Sequence, residues 1–168
     1  MYGMQILTKF IARLQITLGV LLLVIFLAST LIQVVTRYLG ISVLWTEEVA
    51  VNSFIWAMFL GAAVMVRENK HFGFDVLTHY FKGTKRSILV ISQNLIMLIF
   101  CLLCSLYSVE ITQAFWHSRW ISIPEFRQGY VWLIMPITFI SSSVYLLDNI
   151  YNEAKTLSCF KGASWNLR

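Results

Sequence analysis

The order of apolar and charged positions divides this chain into four long apolar stretches separated by charged segments. Asp, Glu, Lys and Arg are absent from four stretches of 23, 18, 23 and 20 residues: Leu14–Thr36, Val49–Val66, Ser87–Val109 and Gln128–Leu147. As α-helices these stretches would be roughly 27 to 34 Å long, which matches a hydrocarbon core of about 30 Å. The pattern predicts an all-α integral membrane protein with four transmembrane helices at 14–36, 49–66, 87–109 and 128–147, forming one domain over residues 1–168.

The four stretches differ in how strongly they favour insertion into a membrane. The first contains 15 Leu, Ile, Val or Phe residues among its 23 positions, and such side chains each favour insertion by about 0.3 to 0.6 kcal/mol at a helix centre. Its apolar core is longer than that of a signal peptide, so we expect an uncleaved anchor. The second stretch is shorter and carries Asn52 and Ser53, so it is expected to depend on neighbouring helices.

The distribution of cations predicts the orientation of the helices. Three of the 13 Lys and Arg residues, Arg37, Arg119 and Arg127, fall on the side where the first helix ends and the fourth begins. The other ten fall on the side of the two termini. Because positive residues accumulate on the cytoplasmic side of a membrane, both termini are predicted to be cytoplasmic.

The composition agrees with a membrane protein and excludes most soluble classes. The chain is 58% hydrophobic and 12% charged, with a mean hydropathy of +0.73, whereas soluble domains have about 25% charged residues. The sequence pI of about 9.3 does not predict binding to nucleic acid, because the positive surplus lies in segments that would face anionic lipid.

A short amphipathic helix is predicted in the segment between the second and third spans, over residues 75–82. Asp75 is a suitable N-cap residue, and Gly83 is placed to end the helix. Between them, one apolar face comprises Val76, Leu77, Tyr80 and Phe81. Such a helix would lie in the membrane plane at the cytoplasmic face, with three cations at anionic lipid headgroups: Lys82, Lys85 and Arg86.

Two groups of residues resemble chemical sites but favour structural roles. His71, Asp75 and His79 are spaced four apart, yet the two histidines would lie about 12 Å apart along a helix axis, so no metal site is predicted. Cys101 and Cys104 lie inside the third apolar stretch, where a thiol stays protonated, and packing is the favoured role. We predict no catalytic residue and no cofactor.

The second helix carries the residues that favour contact with a partner. Glu47 and Glu48 stand in its first turn, where acids are favourable to the helix dipole, and Thr46 is placed to cap it. The helix is predicted to have a face of small residues, comprising Ala50, Ser53, Ala57 and Gly61, beside a bulky face comprising Trp45, Asn52, Trp56 and Phe59. Either face would suit its own bundle, lipid or another protein.

No Asp, Glu, Lys, Arg or His lies in any of the four apolar stretches, although proton relays, ion sites and paths for charged substrates normally require such groups. Haem bound within the membrane would require histidine there, and all three histidines lie elsewhere. The chain is therefore not expected to catalyse or transport by itself.

A series of motifs extends from the start of the second helix into the segment that follows it: Trp45-Thr46-Glu47-Glu48, then Trp56, then Phe59-Leu60-Gly61-Ala62, then Arg67, then His71-Phe72-Gly73-Phe74-Asp75. This series resembles the small membrane subunit of tripartite ATP-independent periplasmic (TRAP) transporters, the DctQ-like family. The resemblance extends over essentially the whole chain in length and number of helices.

This resemblance implies an accessory subunit of the bacterial inner membrane. In such systems a periplasmic binding protein delivers an organic acid, such as a C4-dicarboxylate or a sugar acid like sialic acid, to a large permease subunit driven by a sodium gradient. The small subunit acts as a scaffold for the large one. We therefore expect a partner interface comprising Trp45, Glu47, Glu48, Asn52, Trp56, Phe59, Gly61, Arg67, His71 and Asp75.

Two other functions are compatible with four membrane helices. One is an independent redox enzyme, for which Cys101 and Cys104 would be the candidate centre. The other is a small transporter that needs no partner. Activity or uptake by the purified chain alone would distinguish either function from a scaffold subunit.

Overall fold

A computed structural model of the protein describes the backbone of residues 2–68 and 84–165, and the side chains of residues 5–68 and 84–157. Within these ranges the chain is almost entirely helical and has no β-strand, only one isolated bridge between Arg119 and Arg127. The helices are α1 (Tyr2–Tyr38), α2 (Trp45–Arg67), α3 (Thr84–Ala114), the single turn α4 (Gly129–Trp132) and α5 (Ile134–Trp165).

The four predicted membrane helices are confirmed. The described residues contain four helical segments long and apolar enough to cross a membrane, and they are Gln5–Tyr38, Trp45–Arg67, Thr84–Ala114 and Gly129–Leu157. Three of them continue well beyond the charge-free stretches, and α1 begins 12 residues before Leu14. A charged side chain limits how much of a helix can lie in hydrocarbon, but it does not end the helix, because Lys and Arg are good helix formers.

A glycine turn ends α1 and directs the chain into α2. Gly40 has a positive φ of 72°, which glycine adopts without steric penalty. The amide of Ile41 donates to the carbonyl of Thr36 at 2.9 Å, and the amide of Gly40 donates to that of Arg37 at 3.2 Å. This is the Schellman arrangement, which satisfies the last carbonyls of a helix.

The helices alternate in direction and pack as two pairs. α1 lies mainly against α2, α3 lies mainly against α5, and contacts between α2 and α5 join the pairs. We call the end that contains residues 39–44 and 115–128 the loop end, and the opposite end the terminal end. A buried cluster comprising Ala12, Ala63, Val66, Cys101, Tyr145 and Leu146 connects all four long helices.

A buried polar network links α1 to α5 inside this bundle. The hydroxyl of Tyr145 donates to Oε1 of Gln15 at 2.8 Å, and Nε2 of Gln15 donates to the hydroxyl of Ser141 at 2.9 Å. Gln15 is 4% exposed and Tyr145 is 1% exposed. Because polar groups away from water must be paired, this network specifies how α1 and α5 face each other.

The fourth predicted span is interrupted at Leu133, between α4 and α5. Pro136 lies just beyond the break and has no amide hydrogen, so it cannot donate to the carbonyl of Trp132. The hydroxyl of Thr112 in α3 lies 3.2 Å from that carbonyl and 2.8 Å from the carbonyl of Ser108 in its own helix. Its one hydrogen is shared between the two, so the neighbouring helix partly satisfies the carbonyl that the proline leaves without a donor.

The predicted interfacial helix at 75–82, together with His71, Asp75 and Lys82, lies outside the described residues. Lys85 and Arg86 are described, and both are exposed at the start of α3. The cytoplasmic location of the termini stays a prediction.

Candidate partner interface

One face of α2 is covered by α1. Ala50, Ser53 and Ala57 from the predicted small-residue face are buried. A Cβ on Gly19 of α1 would lie 3.9 Å from the carbonyl oxygen of Ala57 and 3.9 Å from Cβ of Leu60. The small residues therefore allow α1 to approach α2 closely, and this face is occupied within the chain.

The bulky face of α2 is directed mainly towards α4 and α5. The indole Nε1 of Trp56 donates to the carbonyl of Val131 at 3.0 Å. The ring of Phe59 meets the ring of Phe139 edge to face, with centroids 6.4 Å apart. Trp56 and Phe59 thus hold the two helix pairs together.

The other predicted residues of this bulky face are partly accessible. Asn52 is half-buried, and Trp45 at the start of the helix is exposed. Neither side chain lies in the buried part of α2.

A third face of α2 is largely open, although Phe54 at its middle lies against α1, where its ring centroid is 5.1 Å from that of Phe26. Val51, Met58 and Met65 are 51%, 59% and 45% exposed. Gly61 and Ala62 lie between the two methionines and are also exposed. We define the open face as these residues together with exposed Glu47: Glu47, Val51, Met58, Gly61, Ala62 and Met65. It includes two of the predicted interface residues, Glu47 and Gly61.

The two adjacent glutamates at the start of α2 have different surroundings. One carboxylate oxygen of Glu48 accepts a hydrogen bond from the amide of Ile121 at 2.8 Å, and the other accepts one from the amide of Ser122 at 3.0 Å. Glu47 is exposed. Glu48 therefore clamps the long loop between α3 and α4, while Glu47 is directed away from the bundle.

Thr46 does not cap α2, contrary to the expectation from sequence. The residue before the first helical turn is Leu44, which makes no side-chain capping bond. Because Thr46 lies inside the first turn, its hydroxyl donates back to the carbonyl of Val43 at 2.8 Å.

Replacing Glu48 with alanine is expected to release the loop without unfolding the bundle. Hydrogen bonds to a charged acceptor are worth about 1.5 to 3 kcal/mol, so exchange of the amide hydrogens of Ile121 and Ser122 should accelerate by about tenfold or more. Hydrogen–deuterium exchange with mass spectrometry measures this directly. Glu47→Ala is the matched control and should leave the exchange of these amides unchanged; equal acceleration in both variants would contradict the clamp.

Aromatic contacts and a glycine further order the same loop. The rings of Trp120 and Phe126 lie 5.1 Å apart, those of Phe126 and Tyr130 lie 6.1 Å apart, and those of Trp116 and Tyr130 lie 5.6 Å apart. Gly129 packs directly on Trp116, where a Cβ would come within 2.8 Å of the Trp116 Cα atom. The loop is therefore constrained from several directions.

A small cavity lies where α1 and α2 diverge at the loop end. Its volume is about 300 Å³, and its lining includes Gln33, Thr36, Arg37 and Glu47. Glu47 and Arg37 both line this recess, and both residues are exposed.

At the terminal end, Arg67 is the last residue of α2. The side-chain amide of Asn149 in α5 donates to the carbonyl of Val66 at 3.2 Å and to that of Arg67 at 3.4 Å. This contact fixes the end of α2 against α5 and leaves the Arg67 side chain half-buried. His71 and Asp75, which were predicted to accompany it, lie outside the described residues.

The remaining candidates for chemistry are two thiols and a metal site. Cys101 is buried in the core and Cys104 is partly buried, and both are free thiols. Among the side chains of residues 5–68 and 84–157, no group of three His, Cys, Asp or Glu is arranged to hold a metal ion.

These features define a multi-pass α-helical membrane protein whose described polar contacts hold its own helices and loop together. Comparison with family models identifies the particular family: residues 26–156 match the DctQ component of the tripartite ATP-independent periplasmic transporters. The match extends over most of the chain, so the protein belongs to the DctQ family and is the small permease subunit of a TRAP transporter. A comparison with individually curated proteins found no match.

Membership in this family implies association with a large permease subunit and a periplasmic binding protein, and a location in the inner membrane. The family is one of transporter components and not of enzymes. The resemblance noted from the sequence is thereby confirmed.

Sequence reasoning did not identify the open methionine positions of α2 or the clamp that Glu48 forms. Met58 and Met65 recur seven residues apart, which places them on one helical face. That spacing alone cannot show that the face is uncovered, because coverage depends on where α1 and α5 pack.

Proposed function

We propose that this subunit is a membrane scaffold, which supports a large permease during sodium-coupled uptake of an organic acid. The substrate would be a C4-dicarboxylate or a sugar acid, captured by the periplasmic binding protein. The observation that carries this proposal is the DctQ family match in a chain whose four apolar stretches contain no Asp, Glu, Lys, Arg or His. The chain therefore lacks the charged side chains that usually mark a coupling-ion or acid site within the membrane.

The open face of α2 is the surface we assign to the large subunit. Its centre combines small residues, Gly61 and Ala62, with the flexible side chains of Met58 and Met65. Small residues let two membrane helices approach closely, and methionine adapts to irregular surfaces. Glu47 at the loop end of the same face supplies a carboxylate for a donor on the partner.

Other predicted interface residues act indirectly in this proposal. Glu48, Trp56 and Phe59 shape the bundle that presents the open face, while Trp45 and Asn52 lie on the bulky face, on another side of α2. Arg67, with His71 and Asp75, would organise the contact at the terminal end. Lys82, Lys85 and Arg86 would hold anionic lipid headgroups at the cytoplasmic face.

Adding bulk to the open face is expected to separate the two membrane subunits. In the Gly61→Leu/Ala62→Leu variant, leucine side chains would prevent close helix approach, so co-purification with the large subunit should fall at least about fivefold. Sodium-driven uptake of a labelled organic acid by proteoliposomes should fall in parallel. Both quantities are measured on subunits co-expressed at wild-type levels.

Ala28→Leu is the matched control for this experiment. Ala28 is an exposed small residue on α1, so the control adds the same side chain to a different membrane-facing surface. It should leave assembly and uptake unchanged. Normal co-purification of the α2 variant would refute the interface, and sodium-driven uptake by the small subunit alone would refute the scaffold function.

A further inference from the structure

The loop between α3 and α4 carries two arginines in an unusual pairing. Arg119 and Arg127 form an isolated antiparallel bridge. The amide of Gln128 donates to the carbonyl of Ser118 at 2.8 Å, and the amide of Trp120 donates to that of Phe126 at 3.0 Å. The hydrogen bonds thus join the residues on either side of the bridged pair.

This pattern places the two side chains on one face of the loop. In an antiparallel pair whose own residues exchange no hydrogen bonds, the Cα atoms are about 4.5 Å apart and the side chains are close. Like charges directly opposite each other are unfavourable. The loop therefore holds two positive charges together against their repulsion.

The described part of the chain does not neutralise this pair. Nη1 of Arg119 donates to the carbonyl of Pro124 at 3.1 Å, which is a neutral acceptor. Among the side chains of residues 5–68 and 84–157, none forms an ion pair with either arginine. Both side chains are exposed, so an anionic group from outside the chain can reach them.

The surrounding structure fixes the position of the arginine pair. Glu48 holds the amides of Ile121 and Ser122, the next residues along the loop. Two residues after Arg119, Ile121 is 90% exposed, so the same loop also presents an apolar side chain to its surroundings. A preorganised combination of charge and apolar surface is typical of a protein recognition site, because little freedom is lost on binding.

We propose that Arg119, Arg127 and Ile121 form a docking site for an acidic patch on the periplasmic binding protein. The inference rests on the proposed function, in which the loop end faces the periplasm and a water-soluble protein delivers the substrate. An acidic protein surface fits this site because its negative charges would complement the positive charges of Arg119 and Arg127. A lipid phosphate would also neutralise the cations, but a loop that Glu48 holds in one conformation favours a protein surface, because little freedom is lost on binding.

The test measures binding of the cognate binding protein to the assembled two-subunit transporter in lipid nanodiscs. Arg119→Glu/Arg127→Glu should raise the Kd by about tenfold or more and weaken the dependence of association rate on ionic strength. Arg127→Glu alone removes no hydrogen bond described within the chain and should raise the Kd by about threefold or more. Ile121→Ser should raise the Kd while leaving the salt dependence unchanged.

Arg37→Glu is the control, because Arg37 is an exposed cation at the same end of the bundle but outside this loop. It should leave the Kd unchanged. A wild-type Kd in the Arg127→Glu and double variants would overturn the proposal. The amount of phosphatidylglycerol that co-purifies with these variants is measured as well. If that amount falls while the Kd stays at the wild-type value, the arginine pair is a lipid site and the proposal is also overturned.

Co-purification distinguishes failure of this inference from failure of the proposed function. If the variants still assemble with the large subunit and the Kd does not change, only the docking site is wrong. If the wild-type chain does not assemble with the large subunit, the scaffold function is wrong.

Discussion

Replacing Gly129 with alanine is expected to lower the free energy of unfolding of the purified subunit by about 1 to 3 kcal/mol. The added Cβ would come within 2.8 Å of both the Cα and the Cε3 atoms of Trp116. The Cα atom belongs to the backbone, so the clash cannot be relieved by a side-chain rotation alone. The loop and the start of α4 would have to separate. Thermal unfolding in detergent, followed by circular dichroism, measures the loss.

Gly61→Ala is the control for this substitution. A Cβ on Gly61 meets no atom within 4 Å, and alanine favours a helix over glycine by about 1 kcal/mol. The control should therefore leave the stability of the isolated subunit unchanged or raise it slightly. If Gly129→Ala and Gly61→Ala unfold at the same temperature, the close packing of Gly129 on Trp116 is wrong.

Removing the polar network between α1 and α5 is expected to destabilise the bundle by about 1 to 3 kcal/mol. Gln15→Leu would leave the buried hydroxyl of Tyr145 without this partner, and an unpaired buried polar group carries a penalty of that size. The hydroxyl of Ser141 would keep its hydrogen bond to the carbonyl of Thr138. Tyr145→Phe should have a smaller effect, because only one hydrogen bond is lost. Chemical unfolding in mixed detergent micelles measures both changes.

A double-mutant cycle separates the hydrogen bond from the loss of packing. If Gln15 and Tyr145 act together, the double variant should lose less stability than the sum of the two single variants. Tyr107→Phe is a suitable control, since Tyr107 is 64% exposed and should lose nothing. Additive effects of Gln15→Leu and Tyr145→Phe would show that the two side chains do not stabilise each other.

The helices could be predicted from sequence because the signal is local. An uninterrupted apolar stretch long enough to cross hydrocarbon identifies a span without knowledge of its neighbours. The ends of the helices could not be predicted in the same way. α1 extends to Tyr2 through Lys9 and Arg13, and its other end depends on a turn at Gly40. Helix ends are determined by capping and backbone conformation, which charge distribution does not reveal.

The candidate interface could be predicted only in part. Glu47 and Glu48 are neighbours in sequence and equally plausible as partner-binding groups. A helix rotates successive residues by about 100°, so only one of them points towards the loop. The hydrogen-bond donors to Glu48 are the amides of Ile121 and Ser122, which lie more than 70 positions further along the chain. No local pattern connects them.

The sequence by itself determined that this protein is a four-helix membrane subunit of the DctQ family. Hydropathy and short motifs are properties of the chain that no packing arrangement alters. The tertiary structure alone decided which face of α2 is open, why Gln15 is buried, and how Arg119 and Arg127 come to lie side by side. Each of these depends on contacts between segments far apart in sequence, and such contacts form only when the helices pack.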